Sequence, residues 1–369
     1  MRPFSLKRLL PFSLLAVLLL SVPARADERQ GEHGGQHDDG ITVMTRNMYF
    51  GADLTPAIQA TTVPQLLAAV THIFGVVNAS DISNRVDQIA AEIARARPDL
   101  VGLQEVAIWR TQFPPDFSPT PNATTVVYDF LQLLLDGLAA RGEHYIVVAT
   151  HVSNDLEAPA LFVPSLACCY EVRFTDREVI LARAGNKLKL SNVQEGTFAA
   201  QIAFQVPGAP TIYMEQRGWL SVDVKKGNEK FRFITTHLLP EGIFDPVQVG
   251  QGAELTAVPA NTRMPVILVC DCNSRADNTG TATYVNLLAA GFDDVWVERH
   301  PQRPGLTCCQ AEDLRNPVST FDQRIDLILV HGHAEAERVF RTGAREDDRT
   351  AAGLWPSDHA GVVGTLELR

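Results

Sequence analysis

A short apolar run that ends in polar residues, VILVCDCNS at positions 266–274, constrains the fold of this chain more than any other stretch. Four aliphatic residues followed by Asp, Asn and Ser predict a buried strand whose carboxyl end opens into a loop. α/β proteins place their chemistry at such strand ends. Since successive strand residues point to opposite faces, Asp271 and Asn273 share one face, and Cys270 and Cys272 share the other. The pattern fits a site for a metal or a phosphoryl group, and it fits equally a strand that ends in an Asx turn.

The first 40 residues indicate export, and we do not expect them to belong to the folded domain. Residues 1–26 combine a basic start, an apolar core and an A-x-A signal ending at Ala26, which is the pattern of a cleaved secretory signal peptide. Residues 27–40 are polar and predict a disordered leader. We therefore expect a secreted or periplasmic bacterial protein without a stable membrane anchor. The remaining residues, 41–369, are expected to form one domain and a monomer.

The charge balance restricts the class of partner. The formal net charge of −11 argues against a basic nucleic-acid groove over much of the surface. It does not exclude phosphate substrates, because bound divalent cations can supply positive charge locally.

The six cysteines favour disulfides, since an even number in an exported chain is typical of them. They lie in three close groups, and the sequence does not choose among the possible pairings. A zinc site is the weaker alternative, because spaced C-x-x-C pairs are absent. The groups are Cys168 with Cys169, Cys270 with Cys272, and Cys308 with Cys309.

Polar side chains recur where predicted strands begin or end. Each one alone has an ordinary structural interpretation: a single His after a strand is more often a hydrogen-bonded core residue, and a buried Glu is often an ion-pair partner. Their repetition at the same place in successive strands points to one site. The positions are Asn47, Glu105, His237, Asp271, Asn273, Asp326, Asp358 and His359.

Taken in order, these motifs resemble the endonuclease/exonuclease/phosphatase superfamily, the group of deoxyribonuclease I, exonuclease III and the neutral sphingomyelinases. The resemblance implies an α/β (α+β) fold of four layers, with two mixed β-sheets packed face to face and helices on the outer sides. Cysteines flank Asp271 where the family has Gly and an aromatic residue, which suggests a subgroup with its own disulfides. The matching motifs are TRN at 45–47, LQE at 103–105, TTHL at 235–238, CDCNS at 270–274, RIDLILV at 324–330 and SDHAGV at 357–362.

The resemblance also implies a function. It implies hydrolysis of a phosphodiester, with nucleic acid as the expected substrate and Mg²⁺ as the expected metal, Mn²⁺ and Ca²⁺ being alternatives. Asp271 would act on the attacking water, Asn273 on the phosphate, and His237 on the phosphate and the leaving oxygen. Asp326 would pair with His359. The implied metal residues are Asn47, Glu105 and Asp358, and the implied catalytic residues are His237, Asp271, Asn273, Asp326 and His359.

Several alternatives stay open at this point. A sphingomyelinase-like lipid phosphodiesterase would need an exposed apolar hairpin, whereas residues 111–125 and 154–170 predict irregular loops that select the substrate. A phosphatase shares the chemistry. A catalytically silent binding module would lack some of the site residues, whereas this sequence retains all of them. Asp53 is an extra metal ligand or a turn residue. Arg177 contacts phosphate or forms a surface ion pair.

Overall fold

The structure is a computed structural model that describes residues 40–163, 165, 167–208, 212–242 and 244–368. The predicted signal peptide, and the predicted leader up to residue 39, lie outside the described residues. Their assignment therefore stays a prediction.

The strands of the described chain follow its alternating and apolar stretches. VILVCD, for example, is a strand buried along its whole length, as expected for a strand covered on both faces. The strands are β1 (Ile41–Asn47), β2 (Leu100–Gln104), β3 (Ile108–Gln112), β4 (Thr125–Asp129), β5 (Tyr145–Phe162), β6 (Ala167–Arg183), β7 (Lys189–Thr197), β8 (Ile202–Gln205), β9 (Ile212–Glu215), β10 (Gly218–Lys226), β11 (Glu229–His237), β12 (Val266–Asp271), β13 (Phe292–Asp294), β14 (Asp326–His331), β15 (Ala334–Thr342) and β16 (Gly361–Leu368).

All the α-helices of the same residues except the first bury apolar side chains. In the third, Val86, Ile89 and Ile93 are fully buried, and Arg97 ends the helix in the left-handed conformation at φ 49°. Among the described residues, no single helix is long and apolar enough to cross a bilayer. The second and third helices, taken together as a bent pair, pass the test by length and composition alone. The helices are α1 (Thr55–Ile58), α2 (Val63–Ala79), α3 (Ile82–Ala96), α4 (Phe130–Ala140), α5 (Asp245–Ala257), α6 (Thr283–Ala289) and α7 (Val295–Arg299).

Two mixed sheets position the strand ends. Within the described residues, the larger sheet has the order β15-β16-β1-β2-β6-β3-β4, with β5 paired to β6, and the smaller has the order β13-β14-β12-β11-β10-β7. β1 runs parallel to β2, and β11 runs parallel to β12. Parallel neighbours end at the same edge, so the polar residues after each pair of strands come together.

The sheets pack face to face, and helices cover their outer sides. Val43 of β1 and Phe233 of β11 belong to the core between the sheets. The outer face of the larger sheet packs on α2, α3 and α4, with Leu134 fully buried. The outer face of the smaller sheet packs on α5 and α6 through Leu255 and Leu287. This arrangement confirms the four-layer fold expected from the resemblance.

The expectation of an irregular loop at 154–170 is wrong. Most of this stretch belongs to the hairpin of β5 and β6, which are 18 and 17 residues long. The register shifts at three bulges, between Val147 and Ala149, between Val152 and Asn154, and between Ala160 and Leu161. Each bulge breaks the two-residue alternation of inward and outward side chains, so the sequence shows no readable strand period. Residues 113–124 do form a loop, between β3 and β4.

Gly102 in β2 marks a close approach of the two sheets. A Cβ atom added there would collide with the side chains of Thr235 and Val269. We expect Gly102→Ala to lower the free energy of unfolding by about 1–3 kcal/mol, the range for overpacking a core, measured by urea unfolding. Gly75→Ala in α2 is the control, because nothing lies within 4 Å of its added Cβ. Equal destabilisation by both substitutions would contradict the argument.

Candidate active site

Three neighbouring strands of the smaller sheet place three titratable side chains side by side. The register pairs His237 of β11 with Asp271 of β12, and Asp271 with Asp326 of β14. All three are at least 98 % buried. The strand ends predicted from the sequence therefore form one row at the edge of the sandwich.

Asp271 is the centre of the polar contacts. Its Oδ2 accepts a hydrogen bond from Asn47 Nδ2 at 3.0 Å and lies 3.3 Å from His237 Nε2 and 3.8 Å from His359 Nε2. Its Oδ1 accepts the amide of Asn273 at 3.1 Å. Asn47 comes from the larger sheet, so the contact with Asp271 joins the two sheets at the site.

His359 forms an ion pair with Asp326. Its Nδ1 lies 2.9 Å from Asp326 Oδ2. Burial alone would lower the pKa of His359, but Asp326, Asp358 and Asp271 together raise it well above its ordinary value. The imidazole is therefore cationic at neutral pH, with Nε2 directed toward Asp271.

His237 has the opposite charge state. Burial, with the positive charges of Arg217 and His359, lowers the pKa of His237 well below its ordinary value. Burial raises the pKa of Asp271 to about 6, an effect that His359 opposes and Asp326 strengthens. At neutral pH the carboxylate of Asp271 thus lies close to a neutral imidazole, His237, and to an imidazolium, His359.

Glu105, Asn47 and Asp358 offer hard oxygen donors next to this row. Glu105 Oε2 accepts the amide of Phe50 at 3.0 Å. Burial and the charge of Asp358 raise the pKa of Glu105 to about 8, although the Asn47 side chain lowers it. Crowded carboxylates of this kind fit a divalent cation, which would compensate their charge through oxygen ligands.

The backbone at two of these residues is strained. Glu105 has φ 57° and Asn273 has φ 47°, both in the left-handed region. Asn tolerates that region, whereas Glu does not favour it. Strain at the point where the chain leaves β2 is the kind that folded proteins retain at functional sites. No feature of the sequence predicted this strain.

The segment that carries His359 is held by residues to which the sequence analysis gave no role. Arg46 is fully buried, pairs with Glu92 at 3.0 Å and donates a hydrogen bond to the carbonyl of His359. Ser357 Oγ donates to the carbonyl of Asn47 at 2.9 Å and accepts the amide of His359 at 3.0 Å. An arginine inside the apolar strand ITVMTRN was a visible signal for such a role.

Two further acidic residues lie beside His237. Asp176 and Glu178 are fully buried on β6, and each has a carboxylate oxygen within 4.8 Å of a ring nitrogen of His237. The motifs read from the sequence do not include these two residues. Two acidic residues at positions i and i+2, on the same face of a strand, were the available signal.

Asp53 and Arg177 have structural contacts. Asp53 is exposed, and its Oδ1 accepts the amide of Thr55 at 2.8 Å, as expected for a turn residue. Arg177 pairs with Asp129 at 2.6 Å and is only 8 % exposed. The ion pair expected on the surface is therefore largely buried.

Each cysteine group forms its own disulfide. The bonds join Cys168 to Cys169, Cys270 to Cys272 and Cys308 to Cys309. Cys270 and Cys272 lie in the core under α5 and α6, on the face away from the site, as strand alternation predicts. Cys308 forms a β-bridge with His359, so the third disulfide lies in the loop that supports the site.

The four-layer fold and its edge of carboxylates and imidazoles define a hydrolase of the phosphoesterase type. The chain belongs to the Endonuclease/Exonuclease/phosphatase family, whose sequence model matches residues 76–359. A search of curated proteins finds no match.

Solved structures show the same fold. A family protein from Bacteroides thetaiotaomicron is 16% identical with a TM-score of 0.52, covering 89% of this chain and 98% of that chain. A family protein from Beutenbergia cavernae DSM 12333 is 20% identical with a TM-score of 0.52, covering 89% and 72%. A humanized D. rerio TDP2 is 16% identical with a TM-score of 0.51, covering 89% and 98%. At these identities the similarity concerns the fold alone.

Proposed function

We propose that the protein is an exported phosphodiester hydrolase that requires a divalent cation and cleaves DNA or RNA internally by in-line attack of water. Mg²⁺ is the proposed cation, with Mn²⁺ or Ca²⁺ as alternatives. The proposal depends above all on the position of Asp271 Oδ2, 3.3 Å and 3.8 Å from two imidazole nitrogens and beside the oxygen donors of Glu105. The signal-peptide pattern of residues 1–26 and the three disulfides support export.

The charge states support the reaction. A phosphodiester is anionic and repels a nucleophile, and a divalent cation held by Asn47, Glu105 and Asp358 would neutralise part of that charge. Asp271, ionised at neutral pH, accepts the proton of the attacking water. The side chain of Asn273 contacts the phosphate, where a donor offsets charge that develops in the transition state.

The two histidines have different roles in this proposal. His359 is cationic and can supply a proton to the leaving oxygen. The resemblance suggested His237 for that role, but its low pKa makes it a poor acid. His237 is better suited to contact the phosphate as a neutral imidazole.

Nucleic acid is the preferred substrate class. The structure of D. rerio TDP2 "complexed with single strand DNA product" is 16% identical with a TM-score of 0.50, covering 89% of this chain and 98% of that chain. In the present protein, Glu105, Asn273 and Asp358 are partly exposed, which leaves the site open to an extended strand.

A lipid phosphodiesterase is the second candidate, and the β5–β6 hairpin favours it. Phe162 and Val163 lie at its end, and Val163 is 71 % exposed. Phe113, also 71 % exposed, stacks edge-on against Phe162 at 5.5 Å. From the sequence we expected irregular loops here, and the structure has a hairpin with apolar residues at its end.

Plasmid nicking tests the proposed function. Purified protein with Mg²⁺ should nick supercoiled plasmid, and both EDTA and Glu105→Gln should abolish nicking, because each removes the cation or its principal ligand. Nicking that survives both treatments would contradict the proposal. A folded, Mg²⁺-binding protein that leaves plasmid and RNA intact but hydrolyses sphingomyelin would establish the second candidate.

A further inference from the structure

We propose a second cation site formed by Asp176, Glu178 and His237, on the side of the His237 ring away from Asp271. One ligand atom of each residue lies within 4.8 Å of the other two. Only His237 is shared with the proposed catalytic set. The site therefore has no ligand in common with the one proposed at Asn47, Glu105 and Asp358, although the charge of Asp176 also raises the pKa of Glu105.

Unpartnered buried atoms point into this cluster. Among the described residues, both carboxylate oxygens of Asp176, Oε1 of Glu178 and Nδ1 of His237 lack a hydrogen-bond partner. Burial raises the pKa of Asp176 to about 6, and the charge of Arg217 and the amide of Arg177 oppose that rise. Asp176 and Glu178 are 0 % exposed and His237 is 2 % exposed. Buried polar groups left in this state are costly unless a ligand satisfies them.

The contacts of Glu178 and of His237 Nε2 orient the cluster without satisfying it. Ser153 Oγ donates to Glu178 Oε2 at 2.5 Å, which leaves Oε1 free for another partner. Nε2 of His237 faces Asn273 Nδ2 at 3.1 Å and Asp271 Oδ2 at 3.3 Å. The other ring nitrogen, Nδ1, is therefore the one available to Asp176 and Glu178.

The local charge is negative. Arg217 is the nearby cation whose charge interacts with Asp176 and Glu178. Its guanidinium already pairs with Glu215 at 3.1 Å. Arg217 therefore offsets the charges of Asp176 and Glu178 only in part, and a divalent cation would balance the rest.

The donor set selects the kind of cation. Two carboxylates and one imidazole are ligands typical of Zn²⁺ and Mn²⁺, whereas an all-oxygen set suits Mg²⁺. A cation on Nδ1 also requires the ring proton to be on Nε2, where Asp271 Oδ2 accepts it at 3.3 Å. Asn273 Nδ2, itself a donor, would then bond the carbonyl of Leu238 and not the ring. The second site would therefore fix the tautomer that His237 presents to the reaction centre.

Counting bound Mn²⁺ by the loss of its free electron paramagnetic resonance signal tests the site directly. The purified full chain at pH 8 should bind a second Mn²⁺ in addition to one at Glu105. Asp176→Asn with Glu178→Gln should weaken the second binding step by about 100-fold or more and leave the first in place. Glu105→Gln should do the reverse. Asp87→Asn, which removes a surface carboxylate paired with Arg141, should change neither step.

Thermal unfolding gives a second readout. Mn²⁺ should raise the Tm of Glu105→Gln, because the second site remains, and Zn²⁺ should act likewise. If the double variant does not fold, Glu178→Gln alone replaces it, since it keeps the shape of the side chain. A Glu105→Gln protein that binds no Mn²⁺ and shows no Tm shift would overturn the second site, and protons would then be what neutralises the cluster. This count does not depend on hydrolysis, so its failure is distinct from failure of the proposed function.

Discussion

Asp271→Asn should lower kcat by about 10²–10⁴-fold, the loss expected when a general base is removed. Asparagine has nearly the same shape but cannot take the proton of the attacking water. KM should change much less, because Asn273 and Glu105 remain to bind substrate and cation. Initial rates with supercoiled plasmid and with a small phosphodiester such as bis(p-nitrophenyl) phosphate measure both constants.

A stability control is needed, because the new amide cannot satisfy both neighbours. Asn47 Nδ2 and the amide of Asn273 each donate to one oxygen of Asp271, so one donor will face the NH₂ group in either orientation. We expect a Tm decrease that corresponds to about 1–3 kcal/mol. Asp277→Asn, at an exposed turn residue close in sequence, should retain full kcat. A near-normal kcat for Asp271→Asn would refute the mechanism.

The fold was predictable where strand and motif coincide. The apolar run before Asp271 predicted its strand correctly, because a strand that is buried on both faces is recorded in the sequence as an unbroken run of apolar residues. The prediction that two sheets pack together came from the family resemblance, because periodicity alone does not show which strands pair. The β5–β6 hairpin was missed because its bulges break the alternation.

The site was predictable as a set of positions but not as a set of charge states. The motifs identify both His237 and His359 as site residues but do not distinguish them. Burial and the charge of Arg217 keep His237 neutral, whereas three carboxylates keep His359 cationic. Asp176 lies far from His237 in sequence and in a different sheet, so their proximity becomes visible only when the two sheets are packed together. Local patterns cannot contain such information.

Asp326→Asn should lower kcat by about 10²–10⁴-fold although Asp326 does not contact the proposed nucleophile. Asp326 Oδ2 lies 2.9 Å from Nδ1 of His359, and its negative charge favours the imidazolium. Asparagine can accept the same hydrogen bond but supplies no charge. His359 will then be neutral over more of the neutral pH range, with its proton on Nδ1 and none on Nε2 for the leaving oxygen.

The ¹⁵N chemical shifts of the His359 ring separate this explanation from a merely structural effect. In the natural protein both ring nitrogens should have imidazolium shifts at pH 7, and in Asp326→Asn the Nε2 shift should move to the value of an unprotonated nitrogen. Asp293→Asn, at an exposed position of β13, should change neither the shifts nor kcat. If kcat falls while His359 stays protonated, the imidazolium is not what Asp326 contributes, because the loss would then have to come from the position of the ring and not from its charge.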